Sequence, residues 1–238
     1  MSTLTGPIRL PLNDGKPDSV IIMLHGLSSS GDKMISLADD LSPLLPGSVF
    51  YAPNAPYPYD AINDPKNERS PDFNEPGHYQ WYSRFSEKTR QKGLLEIQTT
   101  IDQYIKYCVG ENHLSFDKCA IVGFSQGCIT ALNVLPRLEY QLGALIAHSG
   151  YLFSPDSLVQ RKNQRARFFE ELRSSTPTCG IHGIEDAAQP WQVMHEAILT
   201  YDEAKIPSEF HLIGDLGHAI GERSVEIMGS FLKRNLKV

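Results

Sequence analysis

Apolar residues in this 238-residue chain fall in short runs rich in β-branched side chains: Val20 to Leu24, Val49 to Ala52, Ala120 to Val122, Ala144 to Ala147 and Thr178 to His182. Short continuous runs of this kind suit strands buried on both faces, which is the mark of a parallel sheet. Between them the period lengthens. Across 87–109, Leu94, Ile97, Ile101, Tyr104, Ile105 and Cys108 recur on one helical face, and 190–204 and 218–236 read in the same way. The run SEFHLI, 208–213, is strand-like. Strands alternating with helices predict right-handed crossovers and an open α/β sheet covered on both sides, one domain over 1–238.

Two stretches interrupt this alternation. Residues 53–80 carry Pro53, Pro56, Pro58, Pro65, Pro71 and Pro76 and exceed an ordinary connection. Residues 154–175, SPDSLVQRKNQRARFFEELRSS, interpose a charged segment of helical character. Its basic run, Arg161, Lys162, Arg165 and Arg167, reads either as a solvated helix face or as part of a small cap over a pocket. Both stretches would sit above the carboxyl ends of strands, where open α/β sheets bind ligands.

Composition narrows the partners. A hydrophobic share of 41% and a charged share of 21% are those of an ordinary globular chain. The net charge of −6 weighs against nucleic acid or an anionic membrane as the main partner, since both reward a positive surface. The N-terminus MSTLTGPIRLPLNDGK holds no apolar secretion core, and no apolar run approaches a membrane span. Cys108, Cys119, Cys128 and Cys179 show neither metal-ligand spacing nor disulfide density. The expectation is a cytoplasmic protein without metal or cofactor.

The chemistry begins at Gly123-Phe124-Ser125-Gln126-Gly127, between a predicted strand and a predicted helix. That is the context of a nucleophile elbow, a turn so tight that its flanking positions leave no room for side chains. A serine hydroxyl is a weak nucleophile and needs a base, itself oriented by a carboxylate; on such a sheet the chain order is serine, acid, histidine. His25, His78 and His113 precede Ser125, and His148 and His182 precede any suitable acid-then-base pair. His195 and His211 fall within a helical and a strand-like pattern. His218, in GDLGHAIG just after the last strand and at the start of the last helix, remains as the base, on a glycine-bearing loop that can reach the serine. For the acid, the adjacent Glu185 and Asp186 follow the penultimate strand, and spacing hardly separates them; Asp215 is a third candidate. An oxyanion hole needs two backbone N–H groups. Gln126, at a helix N-terminus, supplies one, and Leu27, in the loop HGLSSSGD that follows an early strand, is the candidate for the other.

The ordered motifs LHGL (24–27), APNAP (52–56), Trp81, GFSQG (123–127), HGIED (182–186) and GH (217–218) resemble the phospholipase/carboxylesterase family, which includes acyl-protein thioesterases, across residues 18–236. The resemblance implies the α/β-hydrolase fold and a triad of Ser125, Asp186 and His218, Asp186 being preferred to Glu185 because the family acid closes an HGxxD motif. It further implies oxyanion donors at Leu27 and Gln126 and an acyl pocket near Leu27 and Trp81. The expected activity is hydrolysis of a small-molecule or lipid ester, or of an acylated protein thiol, through an acyl-enzyme, with lysophospholipase action on the same machinery as the alternative. A homodimer is compatible with this reading. A non-catalytic binding protein retaining the pocket would be expected to lose a triad member, a dienelactone-type hydrolase would place cysteine at 125, and peptidases of this fold often bring a large extra domain. Two departures stand out: Cys128 replaces a glycine that usually continues the elbow, and Ala187-Ala188-Gln189-Pro190 stands where family members often show a proline, an aliphatic residue and then a second proline.

Overall fold

The computed structural model describes residues 4–60, 77–153 and 158–238. The middle of the 53–80 insertion (61–76) and residues 154–157 of the 154–175 segment lie outside the described residues.

Nine strands and seven α-helices are described: β1 (Ile8–Arg9), β2 (Ser19–Leu24), α1 (Gly31–Met34), α2 (Leu37–Leu41), β3 (Ser48–Tyr51), β4 (Tyr57–Pro58), β5 (Tyr79–Gln80), α3 (Glu87–Glu111), β6 (Cys119–Phe124), α4 (Gln126–Val134), β7 (Ala144–His148), α5 (Leu158–Glu170), β8 (Thr178–Gly183), α6 (Gln192–Glu203), β9 (Ser208–Ile213) and α7 (Glu222–Leu236). Seven strands form one sheet in the order β1-β3-β2-β6-β7-β8-β9. All neighbours are parallel except β1, which runs antiparallel to β3. This is the α/β-hydrolase fold expected from the sequence.

The strand periodicity explains why the apolar runs are continuous. Along β2, Val20, Ile22 and Leu24 pack into one core cluster while Ile21 and Met23 pack into the other, so both faces demand hydrophobes. The first cluster receives α3, α4 and α6 through Leu94, Ile97, Ile129 and Ile198; the second receives α2 and α7 through Leu41, Met228 and Phe231. All four cysteines are buried free thiols. The helix expected over 87–109 starts from a capping box at Ser86 and Thr89 and runs to Glu111.

The sheet reverses direction at β2. The chain steps from β2 to β3 on one side, then places β6 on the other. The carboxyl ends of β2 and β6 therefore flank the topological switch point, the crevice where open α/β sheets bind ligands.

Three features differ from expectation. The last helix begins at Glu222, so His218 sits in the loop before it rather than in its first turn. The extended backbone of Gly221 delays the start, with the Ser224 hydroxyl accepting from the Gly221 N–H at 3.3 Å. Elements as brief as β1, α1 and α2 carry too few residues to show a period. The 53–80 insertion returns as the small antiparallel pair β4–β5. No helix among the described residues is long and apolar enough to cross a membrane.

Candidate active site

Ser125 occupies the turn between β6 and α4 with φ 52° and ψ −115°, a region that non-glycine residues rarely enter. Its neighbours make the turn possible. A Cβ on Gly123 would stand 2.7 Å from the Cys128 Cα, and one on Gly127 would overlap the Leu24 carbonyl oxygen. The Ser125 N–H donates to the His148 carbonyl at 3.0 Å, and the Ser125 carbonyl accepts the Ile129 N–H at 3.0 Å, so the strained residue is held from both sides.

His218 lies within hydrogen-bond reach of this serine. Its Nε2 is 2.9 Å from Ser125 Oγ and its Nδ1 is 2.7 Å from Asp186 Oδ2. The loops bearing Asp186 and His218 are joined through their backbones: the Ile184 N–H donates to Ile213 O at 2.8 Å and the Glu185 N–H to Leu216 O at 3.0 Å. Of the three carboxylates weighed from sequence, only Asp186 reaches the histidine. Glu185 and Asp215 point their side chains to solvent, whereas the Asp186 side chain is fully buried.

Asp186 collects donors. Its Oδ1 accepts from the Ala188 N–H at 2.9 Å and the Gln189 N–H at 2.8 Å, and its Oδ2 faces His182 Nε2 at 3.1 Å as well as His218. Burial acts to raise its pKa, but the hydrogen bonds from His218, Gln189 and Ala188 outweigh it and hold the carboxyl below its usual value. His182 itself is fully buried, and burial lowers its pKa. Its Nε2 also faces the Gln189 carbonyl at 3.0 Å, an acceptor with no proton, so this nitrogen carries the N–H. Sequence reasoning set His182 aside because it precedes the acid; a histidine ending a buried strand four residues before that acid was the available signal.

The candidate oxyanion loop is held just as tightly. His25 is fully buried; its Nε2 accepts the Ala55 N–H at 3.0 Å, so Nδ1 carries the proton and donates to Gly26 O at 2.7 Å. The Trp81 indole donates to the His25 carbonyl at 2.8 Å. The Gln126 amide accepts the Trp81 N–H at 2.9 Å and donates to Tyr82 O at 2.8 Å. Two backbone bonds, Ser28 N–H to Tyr79 O and Tyr79 N–H to Ser29 O, tie the loop to β5. Trp81 has none of its surface exposed, so it stands behind the loop instead of facing open space. Leu27 is half-buried beside Gly26, whose added Cβ would lie 3.3 Å from the Ser125 Cβ.

With this geometry in place, the comparison with known proteins decides the lineage. Residues 12–236 match the model of the phospholipase/carboxylesterase family. The chain belongs to that family. Similar proteins include acyl-protein thioesterase 1 homolog 1 of Dictyostelium discoideum, 27% identical with 92% of this chain and 91% of that one covered, and acyl-protein thioesterase 1 of Saccharomyces cerevisiae, 28% identical with 91% and 92% covered. Among solved structures, esterase PE8 superposes with a TM-score of 0.82 at 25% identity, covering 98% of this chain and 100% of that one.

Both departures from the family pattern have local explanations. Cys128 is fully buried against Gly150, where an added Cβ would stand 2.6 Å from its Sγ, so a compact residue at 128 and glycine at 150 share one small space. The 186–190 loop, with Ala187 directly after Asp186 and Pro190 retained, is tied by the Asp186–Ala188, Asp186–Gln189 and His182–Gln189 hydrogen bonds. Elsewhere, Cys179, Glu209 and His211 bring donor atoms within 4.8 Å of one another, but the Glu209 carboxylate already engages Arg234 at 2.8 Å and His211 at 3.0 Å. An ion pair accounts for that cluster.

The buried histidines give the fold a pH dependence. Burial lowers the His25 pKa to about 4 and that of His148, bonded to Ser149 and Ser224, to about 3. Both stay neutral in the folded chain while the unfolded chain takes up protons below 6.5, so stability falls as pH drops through 6.5 towards about 4. Each contributes on the order of 2 kcal/mol between pH 6.5 and about pH 5. We expect calorimetry to give a Tm about 10 °C lower near pH 5 than near pH 7; a flat Tm over that window would contradict neutral burial.

Proposed function

We propose that this hydrolase cleaves carboxylic esters or thioesters through an acyl-enzyme carried on Ser125. The observation that carries the reading is the continuous chain from Ser125 Oγ through His218 to Asp186, ending at a strained turn before a helix. Family membership supports the reaction class, and relatives named acyl-protein thioesterases support an acylated protein or lipid among the substrates.

In this mechanism Ser125 Oγ attacks the acyl carbon and its proton passes to His218 Nε2. Asp186, ionised, accepts from Nδ1–H and stabilises the imidazolium. The oxyanion is met by the N–H of Gln126, at the N-terminus of α4, and the N–H of Leu27. Collapse of the tetrahedral intermediate breaks the C–O or C–S bond, and Nε2 returns the proton to the departing alcohol or thiol. Water then attacks the acyl carbon, giving its proton to His218, and the acid leaves as Ser125 is regenerated. Leu27 meets the acyl group at the mouth of the site. Trp81 and the Gln126 side chain serve by holding the oxyanion loop.

Partitioning tests the covalent intermediate whichever step limits the rate. Aryl esters and a thioester sharing one acyl group, hydrolysed in the presence of methanol, should give one constant ratio of methyl ester to free acid, because every substrate funnels through the same acyl-enzyme. A ratio that changes with the leaving group would contradict the mechanism.

A further inference from the structure

Beside the site lies a cavity of about 960 Å³, between α5, α6 and the segment that leaves β7. That volume lies within the range of small-molecule sites. Two contacts place it next to the reacting groups. Tyr151, on its wall, directly follows Gly150, whose added Cβ would lie 3.1 Å from the Ser125 carbonyl oxygen. Gln189, on another wall, donates its N–H to Asp186 and offers its carbonyl to His182.

The charge of the lining is unlike that of the chain. Among the described residues, Arg84, Arg90, Arg137, Arg161 and Arg165 face this space. Only two carboxylates, Glu196 and Glu203, accompany them, in a protein whose net charge is −6. Arg137 is bound to Glu171 at 2.7 Å and Arg165 to Glu203, which fixes two guanidinium groups in the wall. Arg90 is different. Its guanidinium lies 5.9 Å from the centre of the Phe153 ring, and its Nε is buried without a hydrogen-bond partner. The Oε1 of Gln164, on the same cavity, is also buried without one, while its Nε2 donates to Phe153 O at 2.6 Å. The Arg90 side chain as a whole is half-buried and lines the cavity, and among the described residues no carboxylate pairs with it, so the rest of its fork can meet an incoming oxyanion. The basic run that sequence left between a solvated face and a cap thus divides: Arg161 and Arg165 line the cavity, while Arg167 pairs with Glu171.

We propose that this cavity binds an anionic group, carboxylate or phosphate, carried by the substrate whose acyl carbonyl meets Ser125. The proposal rests on the reading of Ser125 as nucleophile and narrows it. The preferred substrate is an ester or thioester with a second, charged end, its linker packed on Tyr151, Leu152, Phe153 and Phe168 and its oxyanion on Arg90. Guanidinium groups suit this task because their planar fork matches both carboxylate and phosphate.

Binding without turnover separates this proposal from the hydrolase reading. The full chain is titrated calorimetrically with adipate, glycerol phosphate and neutral hexanediol. One or both anions should bind, hexanediol should not, and affinity should fall as salt rises. Adipate binding alone assigns a carboxylate-ended acyl group; glycerol phosphate binding alone assigns a phosphate-bearing leaving group. Arg90→Gln should weaken the bound anion by roughly tenfold or more, the cost of losing a charged hydrogen bond. Arg84→Gln, at an exposed position on the same lining, should weaken it in the same direction, independently of any folding defect in the Arg90 variant. Failure of both anions to bind, equal binding of hexanediol, or unchanged affinity in both variants overturns the proposal, whether or not the chain hydrolyses esters.

Discussion

Asp186→Asn should lower kcat by about 10⁴-fold, with KM little changed and the fold intact. The size follows from where each carboxylate oxygen points. Oδ1 accepts two backbone N–H groups, from Ala188 and Gln189. The oxygen of an asparagine amide must take that position, so its NH₂ is turned towards His218 Nδ1 and His182 Nε2. A donor there obliges His218 to accept at Nδ1 and to carry its proton on Nε2. Nε2 is the atom 2.9 Å from Ser125 Oγ, and once protonated it cannot take the serine proton. Two hydrogen-bond donors would also confront each other at His182, adding to the disturbance of the acid loop. Glu185→Gln should stay within about twofold of wild type, as an exposed surface change does, because its side chain faces solvent. Steady-state kinetics on an aryl ester distinguishes the two; a comparable loss in Glu185→Gln, or none in Asp186→Asn, would move the acid role elsewhere.

The same arrangement accounts for the conformation of the loop that bears Asp186. Four donors converge on one buried carboxylate, three of them from a single short stretch of chain, His182 to Gln189. This is local hydrogen bonding by backbone and a buried neutral histidine, and it leaves little trace in composition.

That contrast runs through the whole chain. The strands were legible because burial on both faces leaves β2, β6, β7 and β8 no polar alternation to obscure them. The glycines around Ser125 were legible because contact with Cys128 and with the Leu24 carbonyl excludes any side chain there. Chain order and the neighbouring glycines pointed at His218 on a loop, but not at the start of the last helix, since apolar residues on both sides of Gly221 continue a helical period through an extended residue. Glu185 and Asp186 could not be separated by spacing, because which one is buried depends on the Glu185 N–H bonding to Leu216 O, a contact between two distant loops. The support of the candidate oxyanion loop by Trp81 and Gln126 was out of reach for the same reason: each bond links segments 44 or more residues apart, as Trp81 N–H to Gln126 Oε1 and Trp81 Nε1–H to His25 O. The resemblance named the residue Trp81, and the structure gives it a position behind the loop.

The largest single effect should come from Ser125→Ala, with hydrolysis lost by a factor on the order of 10⁶. The substitution removes only Oγ, the atom that would form the acyl bond, and leaves the backbone amides of Leu27 and Gln126 in place. It also removes a hydroxyl that makes no structural hydrogen bond apart from that to His218 among the described residues, so the fold should survive. A fluorophosphonate probe reads this chemistry without knowledge of the substrate, because phosphorus is attacked by the same activated oxygen and the adduct does not turn over. Wild type should take up one probe molecule per chain, located on the Ser125 peptide by mass spectrometry, and Ser125→Ala should take up none; an unlabelled wild type, or a Ser125→Ala chain labelled as fast as wild type, would contradict the assignment of Ser125 as the nucleophile.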